Sequence, residues 1–541
     1  MRSLRPGVGA AGALAAVVLF AGAAAAQSRP SEQDLFGGAA ADAGATGPDG
    51  GSTRTTDAAP PPLPVGKTAA AASAGASEPS ATEAGGTARD QDVLGNPAAG
   101  PKLSADVAPE NPLTIGGQLY LRAQTTAQQN TSPGDWTFLA PNLLDVFLDA
   151  RPNDRVRAYA LGRMSFDPTL APPTTSMALV MPGTAMGTGA LPGTGFANTG
   201  RGRGPSTLLD QLWIAFDVNR RVFVTAGKQH VKWGTGRFWT PTDYLHPVKR
   251  NPLDVFDARG GVSMLKLHLP WEERAWNFYG FAVIEDPVEA TGTLGKVAGA
   301  ARAELVILGT ELGLDVFAKN GQKPRFGVDL STGLGDFDVY VDAAIRYGED
   351  FLTVTDADPS NADLTKRYQV GRLDGIKTQV TTGVTWSRKY NDNDLFTIGA
   401  EYFYNQAGYP DRANYAGLFV NNENTPLLNF FYLGRHYGAL FLALPAPYSW
   451  NYTTFTLSTL GNLSDASFVS RLDYSVTLLT HLSLQAFVGV HYGEAGGELR
   501  FVLPAALVPQ AQQAAAMSGT SIDSLLNAPV VDVGIALRLR I

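Results

Sequence analysis

The chain has 541 residues, with 50 Asp and Glu against 42 Lys and Arg, no cysteine and six histidines. The lack of cysteine excludes disulfide frameworks, thiolate catalysis and cysteine-based zinc or iron–sulfur sites. A net charge of −8 is modest for this length, so no nucleic-acid partner is indicated. The histidines form no HExxH motif and no close pair along the chain, so we predict neither a metal site nor a cofactor.

The first residues have the pattern of an export signal. Arg2 and Arg5 precede an apolar run at 11–21, and Ala24 and Ala26 form a small-residue cleavage site. The apolar run is shorter than a membrane-spanning helix requires. We therefore predict a signal peptide at 1–26 and export across the inner membrane.

Residues 27–110 are dominated by Ala, Gly, Pro, Ser and Thr and carry few large apolar side chains. Such a segment cannot bury enough apolar surface to offset its chain entropy, which predicts a disordered periplasmic arm. Two patches in it are alike, SEQDLFGG at 31–38 and RDQDVLGN at 89–96. They indicate either a docking motif for a periplasmic partner or a chance similarity within a biased segment.

From residue 111 onward, short runs alternate apolar and polar side chains. In FDVYVDAAIRYGE at 337–349, Phe337, Val339 and Val341 point one way and Asp338 and Asp342 the other, which predicts a strand. About eighteen such runs, roughly 9–13 residues each, are long enough to cross a hydrocarbon layer when tilted. They lie near 113–127, 142–152, 155–168, 206–218, 221–234, 261–270, 275–286, 301–309, 310–320, 324–334, 337–348, 378–390, 395–406, 436–445, 453–462, 467–479, 482–493 and 530–541.

The links between these runs largely alternate between short turns, such as RPND and GLGD, and long loops, such as 169–205 and 407–435. Short periplasmic turns and long external loops are typical of outer-membrane barrels. We therefore predict an all-β fold, a transmembrane antiparallel β-barrel over 111–541 in contact with outer-membrane lipid. It has about eighteen strands, with sixteen as the alternative. A soluble all-β repeat protein does not account for the signal peptide, the long strands and the loop alternation together.

If the apolar faces meet lipid, the opposite faces meet the lumen, and the ionisable groups there imply that it holds water. The signs are nearly balanced, so strong ion selectivity is not predicted, and each residue could instead support the wall through a salt bridge. The predicted lumen-wall residues are Asp145, Arg163, Lys266, Asp338, Asp342, Arg346, Glu401, Arg471, Asp473, Arg538 and Arg540.

The stretch KQHVKWGTGRFWTPTDYLHPVKRNP at 228–252 is rich in aromatic and cationic residues and is interrupted by Gly and Pro. One interpretation is that the loop at 234–260 folds into the lumen and narrows it. Its cations would then bind anionic groups and its aromatic rings would stack on sugars. The alternative is an anchor at the outer interface. The predicted constriction residues are Lys232, Trp233, Arg237, Trp239, Tyr244, His246, Lys249 and Arg250.

Part of this stretch, VTAGKQHVKWGTGRFWTPTDYL, resembles the G-[KR]-Q-x(3)-WG strand-to-loop pattern of porin-like families, which include the phosphate-selective porins. The resemblance implies an outer-membrane channel that the barrel-assembly machinery inserts, and it makes a homotrimer an expectation. Two features depart from the pattern. The chain ends in Ile541 where porins usually end in Phe or Trp, and 27–110 has no coiled-coil heptads. Phosphate specificity is therefore not implied.

The sequence thus favours a porin-like channel for small hydrophilic solutes. An exopolysaccharide export barrel is an alternative, because the alginate-export barrels also have about eighteen strands. A non-conducting structural barrel is a second alternative. A barrel lipase or protease would need a nucleophile near a histidine, but the six histidines are isolated along the chain and no GxSxG is present. We predict no catalytic residue and no enzyme activity.

Overall fold

The computed structural model describes residues 112–169, 205–246, 249–254, 259–285, 292–361, 363–390, 394–420, 430–448, 450–509, 512 and 523–541. The predicted signal peptide and the arm with its two patches lie outside these residues.

Eighteen long antiparallel strands form one closed sheet within the described residues. They are β1 Leu113–Gln128, β2 Asn142–Asn153, β3 Val156–Phe166, β4 Ser206–Val218, β5 Val222–Gln229, β6 Val262–Trp271, β7 Trp276–Val283, β8 Ala298–Ile307, β9 Thr310–Ala318, β10 Arg325–Leu334, β11 Phe337–Tyr347, β12 Ile376–Lys389, β13 Leu395–Asn405, β14 His436–Pro445, β15 Thr453–Asn462, β16 Ser467–Leu479, β17 Leu482–Gly493 and β18 Pro529–Arg540.

Each strand pairs with the next, and the sheet closes where β18 pairs with β1 in the register Leu119 to Leu539. Ile541 extends this seam by exchanging two backbone hydrogen bonds with Gly117, at 3.1 and 2.9 Å. Closure leaves no unpaired strand edge, which a sheet inside a membrane requires. The predicted eighteen-stranded barrel is confirmed, and the sixteen-stranded alternative is wrong.

The links also follow the predicted alternation. Every link from an even-numbered to an odd-numbered strand is a short turn, the longest of which covers 446–452. The opposite links are mostly long, with two short exceptions at 319–324 and 463–466. The barrel thus has a short-turn end and a long-loop end.

The links between strands contain small elements that the sequence does not predict, because periodicity is not detectable over three to five residues. The strands are Thr137–Leu139, which pairs with β1, and the hairpin of Leu352–Asp356 with Tyr368–Arg372. The helices are Leu364–Arg367, Gly417–Val420 and Asp523–Leu526, with 3-10 turns at Pro133–Asp135, Glu272–Arg274, Leu294–Lys296, Gly348–Asp350, Glu498–Arg500 and Ala505–Leu507. Among the described residues, no helix is both long and apolar enough to cross a membrane.

The two faces of each strand differ as the alternation predicts. On β11, Phe337 and Ile345 are 48% and 42% exposed, whereas Tyr340 and Asp342 between them are 5% and 0% exposed. The same contrast recurs on β18, where Ile535 is exposed and its neighbour Ala536 is buried. The barrel therefore presents an apolar outer surface suited to lipid and a polar inner face.

A charge placed on the outer face should destabilise the barrel. Ile535 lies midway along β18 and points outward, so Ile535→Arg is expected to cost about 2–4 kcal/mol of folding free energy in a bilayer. Gln485 on β17 points inward beside Ala536. Gln485→Arg should therefore cost about 1 kcal/mol of folding free energy or less. Urea unfolding in lipid vesicles measures both. Equal losses for the two variants would contradict the assignment of the faces.

The interior is filled unevenly along its length. On the inner face of β16, Ser467, Val469 and Arg471 at the long-loop end are buried, whereas Ser475 and Thr477 towards the short-turn end are partly exposed. The long-loop half is occupied by parts of the loops at 230–261, 406–435 and 494–528, which pack together with wall residues in one apolar cluster. The lumen is therefore narrow in one half and wider in the other.

Candidate functional site

The strand register places all eleven predicted lumen-wall residues on the inner face. Four are partly exposed, namely Asp338, Arg346, Asp473 and Arg540. The other seven are less than a tenth exposed, namely Asp145, Arg163, Lys266, Asp342, Glu401, Arg471 and Arg538. Much of the inner wall is therefore shielded from water. The inward loops cover much of the wall, and neighbouring side chains pair with one another.

Most of these buried charges have partners on the wall itself. Arg163 Nε donates to Asp145 Oδ1 at 2.8 Å, and Gln118 Nε2 donates to the same carboxylate at 2.8 Å. Arg471 Nη2 donates to Asp473 at 2.7 Å. Removing a charge from water is tolerated only when it is paired and hydrogen-bonded. These pairs correspond to the wall-supporting alternative that the sequence left open.

The loop at 234–260 enters the barrel directly after β5. Gly234 has a φ of +88°, and a Cβ atom built on it would lie 2.0 Å from Asp342 Oδ2, so only glycine fits there. Farther along, Thr235 Oγ1 donates to Val341 O at 3.4 Å, and Tyr244 Oη donates to Phe326 O at 2.7 Å. The loop therefore runs along the inner wall at β10 and β11.

Glu401 on β13 is the main anchor of this loop. Its carboxylate accepts hydrogen bonds from the backbone N–H groups of Arg237, Phe238 and Trp239, at 2.7, 3.0 and 2.9 Å. Tyr340 Oη on β11 donates to it as well, at 2.6 Å. Three consecutive N–H groups directed at one carboxylate fix the backbone of the loop relative to two strands.

The aromatic residues of the loop pack against protein and do not offer open faces. Trp239 is 0% exposed, stacks on Phe403 at 5.7 Å between ring centroids, and donates from Nε1 to Phe431 O at 2.9 Å. Trp233 meets Phe281 edge to face at 5.4 Å. The predicted stacking of these rings on sugars is thus contradicted, because side chains of the wall and of a second loop already cover them.

The predicted constriction residues divide by exposure. Trp233, Trp239, Tyr244, His246 and Lys249 are buried, whereas Lys232, Arg237 and Arg250 remain partly exposed. Lys249 Nζ donates to Asp243 O at 2.9 Å and so supports the loop from within. Lys232, Arg237 and Arg250 are thus the predicted constriction residues that keep some exposed surface.

A pair of histidines that looked isolated in the sequence meets inside the barrel. His230 and His246 stack with centroids 5.7 Å apart, and their ring nitrogens contact Asp210 at 2.8 Å and Asp243 at 3.2 Å respectively. Asp210 Oδ1 also accepts from Gly261 N at 3.1 Å. This histidine clasp joins the start, middle and end of the loop. The spacing of 16 residues gives no sequence signal for it.

Burial and neighbouring charges shift the titration of the clasp. Burial alone would raise the pKa of Asp243, but His246, Arg259 and Lys249 together lower it to about 2. Burial lowers the pKa of His246, against the attraction of Asp243. Burial likewise lowers the pKa of Lys249 to about 8. The docked loop therefore favours a neutral imidazole beside an ionised Asp243.

Acid should loosen the docked loop. Because the folded pKa of His246 lies below its ordinary value near 6.5, the released loop takes up a proton first, and docking weakens as pH falls below about 6.5. Asp243 adds to this only below about pH 4, since its folded pKa is about 2. We expect the single-channel conductance to change between about pH 7 and about pH 5. His246→Asn should reduce that change, and an identical pH profile in this variant would contradict the clasp.

A second buried carboxylate holds the other loops over the long-loop end. Glu498 accepts hydrogen bonds from the Phe431 backbone N–H, from Tyr437 Oη at 2.6 Å and from Asn462 Nδ2 at 2.8 Å. Burial, with Asp465 nearby, raises the pKa of Glu498 to about 8. Loops 406–435 and 494–528 are thereby joined to β14 and β15, and they cover part of the barrel mouth.

Three arginine side chains pack against aromatic rings on the inner wall formed by β14–β18. Arg237 of the loop lies 4.0 Å from the ring of Phe441, and Arg471 and Arg122 lie 3.9 and 4.8 Å from the ring of Phe487. Arg471 also donates to Leu253 O of the loop at 2.9 Å. Cation–π contacts hold these guanidinium groups in place on a wall that also carries Asp473 and Asp532.

No family model and no curated protein matches the chain. Solved structures do match. OprB of Pseudomonas putida is 9% identical over 80% of this chain and 94% of its own, with a TM-score of 0.41. OccAB4 of Acinetobacter baumannii is 8% identical over 80% and 98%, with a TM-score of 0.43, and the Rhodopseudomonas blastica porin is 11% identical over 79% and 100%, with a TM-score of 0.34. Likenesses at this level carry no argument about activity.

Proposed function

We propose that this chain is an outer-membrane channel for the diffusion of small hydrophilic solutes, narrowed by the loop at 234–260. The observation that carries the proposal is the anchoring of this loop inside a closed barrel, through three backbone N–H groups on Glu401. A barrel that served only as a structural element would not need a loop held across its interior.

The charges support weak selectivity. The inner face carries both signs, as in the pair of Arg163 with Asp145 and the pair of Arg471 with Asp473. The partly exposed cations Lys232, Arg237 and Arg250 would favour anionic groups at the narrow section. A mixed lumen does not favour the polyanionic cargo of an export barrel.

Liposome swelling with neutral sugars of increasing size tests the proposal. Vesicles that contain the purified chain should swell in small sugars and stop swelling above a size limit, whereas protein-free vesicles should not swell. A variant that releases the loop should raise the limit. If none of the sugars or amino acids enters the vesicles, the proposed channel function is wrong.

We also propose export by the signal peptide at 1–26 and a periplasmic arm at 27–110 ahead of the barrel at 111–541. We propose further that the barrel-assembly machinery inserts the chain and that it assembles as a homotrimer. Mass spectrometry of the mature N-terminus tests the first, and the mass of the detergent-extracted complex tests the last.

A further inference from the structure

Asp342 is a buried carboxylate with no adequate protein partner. It lies on the inner face of β11, is 0% exposed, and stands in register between Asp329 on β10 and Thr381 on β12. Thr242 of the loop is near enough to interact with it, yet neither Asp342 oxygen has a hydrogen bond of normal geometry among the described residues. Burial of an ionised carboxylate in that condition is strongly unfavourable.

The neighbouring charges do not neutralise it. Arg302 donates to Asp315 at 2.8 Å and to Asp329 at 2.7 Å, so one guanidinium already serves two carboxylates. Lys249 is within electrostatic range of Asp342, but its ammonium donates to the backbone oxygens of Thr240 and Asp243. The wall and the loop therefore leave an excess of negative charge at Asp342.

The atoms around the carboxylate are suitable donors for a cation. Thr242 Oγ1 and Thr381 Oγ1 both belong to residues that are 0% exposed, and neither oxygen has a hydrogen-bond partner of normal geometry. A Cβ atom built on Gly234 would lie 2.0 Å from Asp342 Oδ2 and 2.8 Å from Thr242 Oγ1, so these two oxygens converge where the loop meets the wall. Carboxylate and hydroxyl oxygens suit hard cations.

We propose that Asp342, Thr242 and Thr381 bind a hard cation, Na⁺ or Ca²⁺, which fixes the loop to the barrel wall. The donor atoms of this site are carboxylate and hydroxyl oxygens, which suit a hard cation better than a transition metal. The cation goes beyond the proposed channel function, because it would stabilise the loop whether or not solutes pass.

Thermal unfolding of the purified full chain tests the site. The protein is kept in detergent with choline chloride as the reference salt. Added NaCl or CaCl2, compared with choline chloride of equal ionic strength, should raise the unfolding midpoint, because a ligand of the native state stabilises it. Comparison of the two salts identifies the ion. Asp342→Asn should abolish the rise, and Thr242→Val should shift it to higher ion concentrations. Asp338→Asn, on the same face of β11 but partly exposed, should retain the full rise.

Three results would overturn the site. They are a wild-type midpoint that responds to neither ion, a rise of equal size in Asp342→Asn, and an infrared band of a protonated carboxyl group in the wild type that Asp342→Asn removes. The last would identify a proton as the occupant. Equilibrium dialysis with radioactive Na⁺ and Ca²⁺ measures binding directly if a variant folds poorly. None of these results depends on conductance, so the site can fail while the channel stands.

Discussion

Replacement of Glu401 by alanine is expected to release the loop at 234–260 and to raise the single-channel conductance. The variant removes the acceptor of three backbone N–H groups, those of Arg237, Phe238 and Trp239. A buried donor without a partner costs ~1–3 kcal/mol, so the docked loop should lose about 3 kcal/mol or more. Recordings in planar bilayers, with thermal unfolding of the same preparation, measure both effects.

Two variants control for this result. Glu401→Gln keeps one acceptor oxygen at the same place and should give an intermediate conductance. Asp338→Ala removes a partly exposed carboxylate from the inner face nearer the short-turn end and should leave the loop in place. If Glu401→Ala conducts and unfolds like the wild type, the anchor has no role in the channel.

Truncation of Trp239 to alanine should weaken the docked loop without a change of charge. Its ring is fully buried, with ring centroids at 5.7 Å from Phe403 and 5.5 Å from Tyr437, and its Nε1 binds Phe431 O. Loss of a buried tryptophan costs about 3–5 kcal/mol through lost contacts and a cavity. We expect a lower unfolding midpoint and noisier, larger conductance steps, since the loops lose a shared packing partner.

The matched control is a tryptophan outside the lumen. Trp271 is 44% exposed at the short-turn end of β6, and Trp271→Ala should cost less stability and leave the conductance steps unchanged. Equal effects of the two truncations on conductance would mean that Trp239 acts only through the general stability of the barrel.

The strands could be predicted from the sequence because lipid imposes a rule on every one of them. Phe337, Val339 and Val341 face outward and must be apolar, whereas Asp338 and Asp342 face inward and are free to be polar, so period two persists along the strand. The same alternation assigned Glu401 and Arg471 to the inner face. The count of such runs predicted the strand number, and the turn lengths distinguished the two ends of the barrel.

The arrangement of the lumen could not be predicted, because it depends on contacts between distant parts of the chain. Glu401 lies 164 residues from Arg237, whose N–H it accepts, and no local pattern joins the two. His230 and His246 meet only because the loop turns back on itself. The aromatic residues of the loop led us to predict a binding site, but the Trp239 ring packs against Phe403 and Tyr437.

The most direct test of the channel is a planar-bilayer recording of the purified chain under a salt gradient. We expect stepwise openings with a reversal potential that is near zero or indicates weak anion selectivity, because the inner wall carries both signs and Lys232, Arg237 and Arg250 are partly exposed. Strong anion selectivity would favour an export barrel. If membranes that contain the correctly folded protein show no current steps at any voltage, the proposed channel function is wrong.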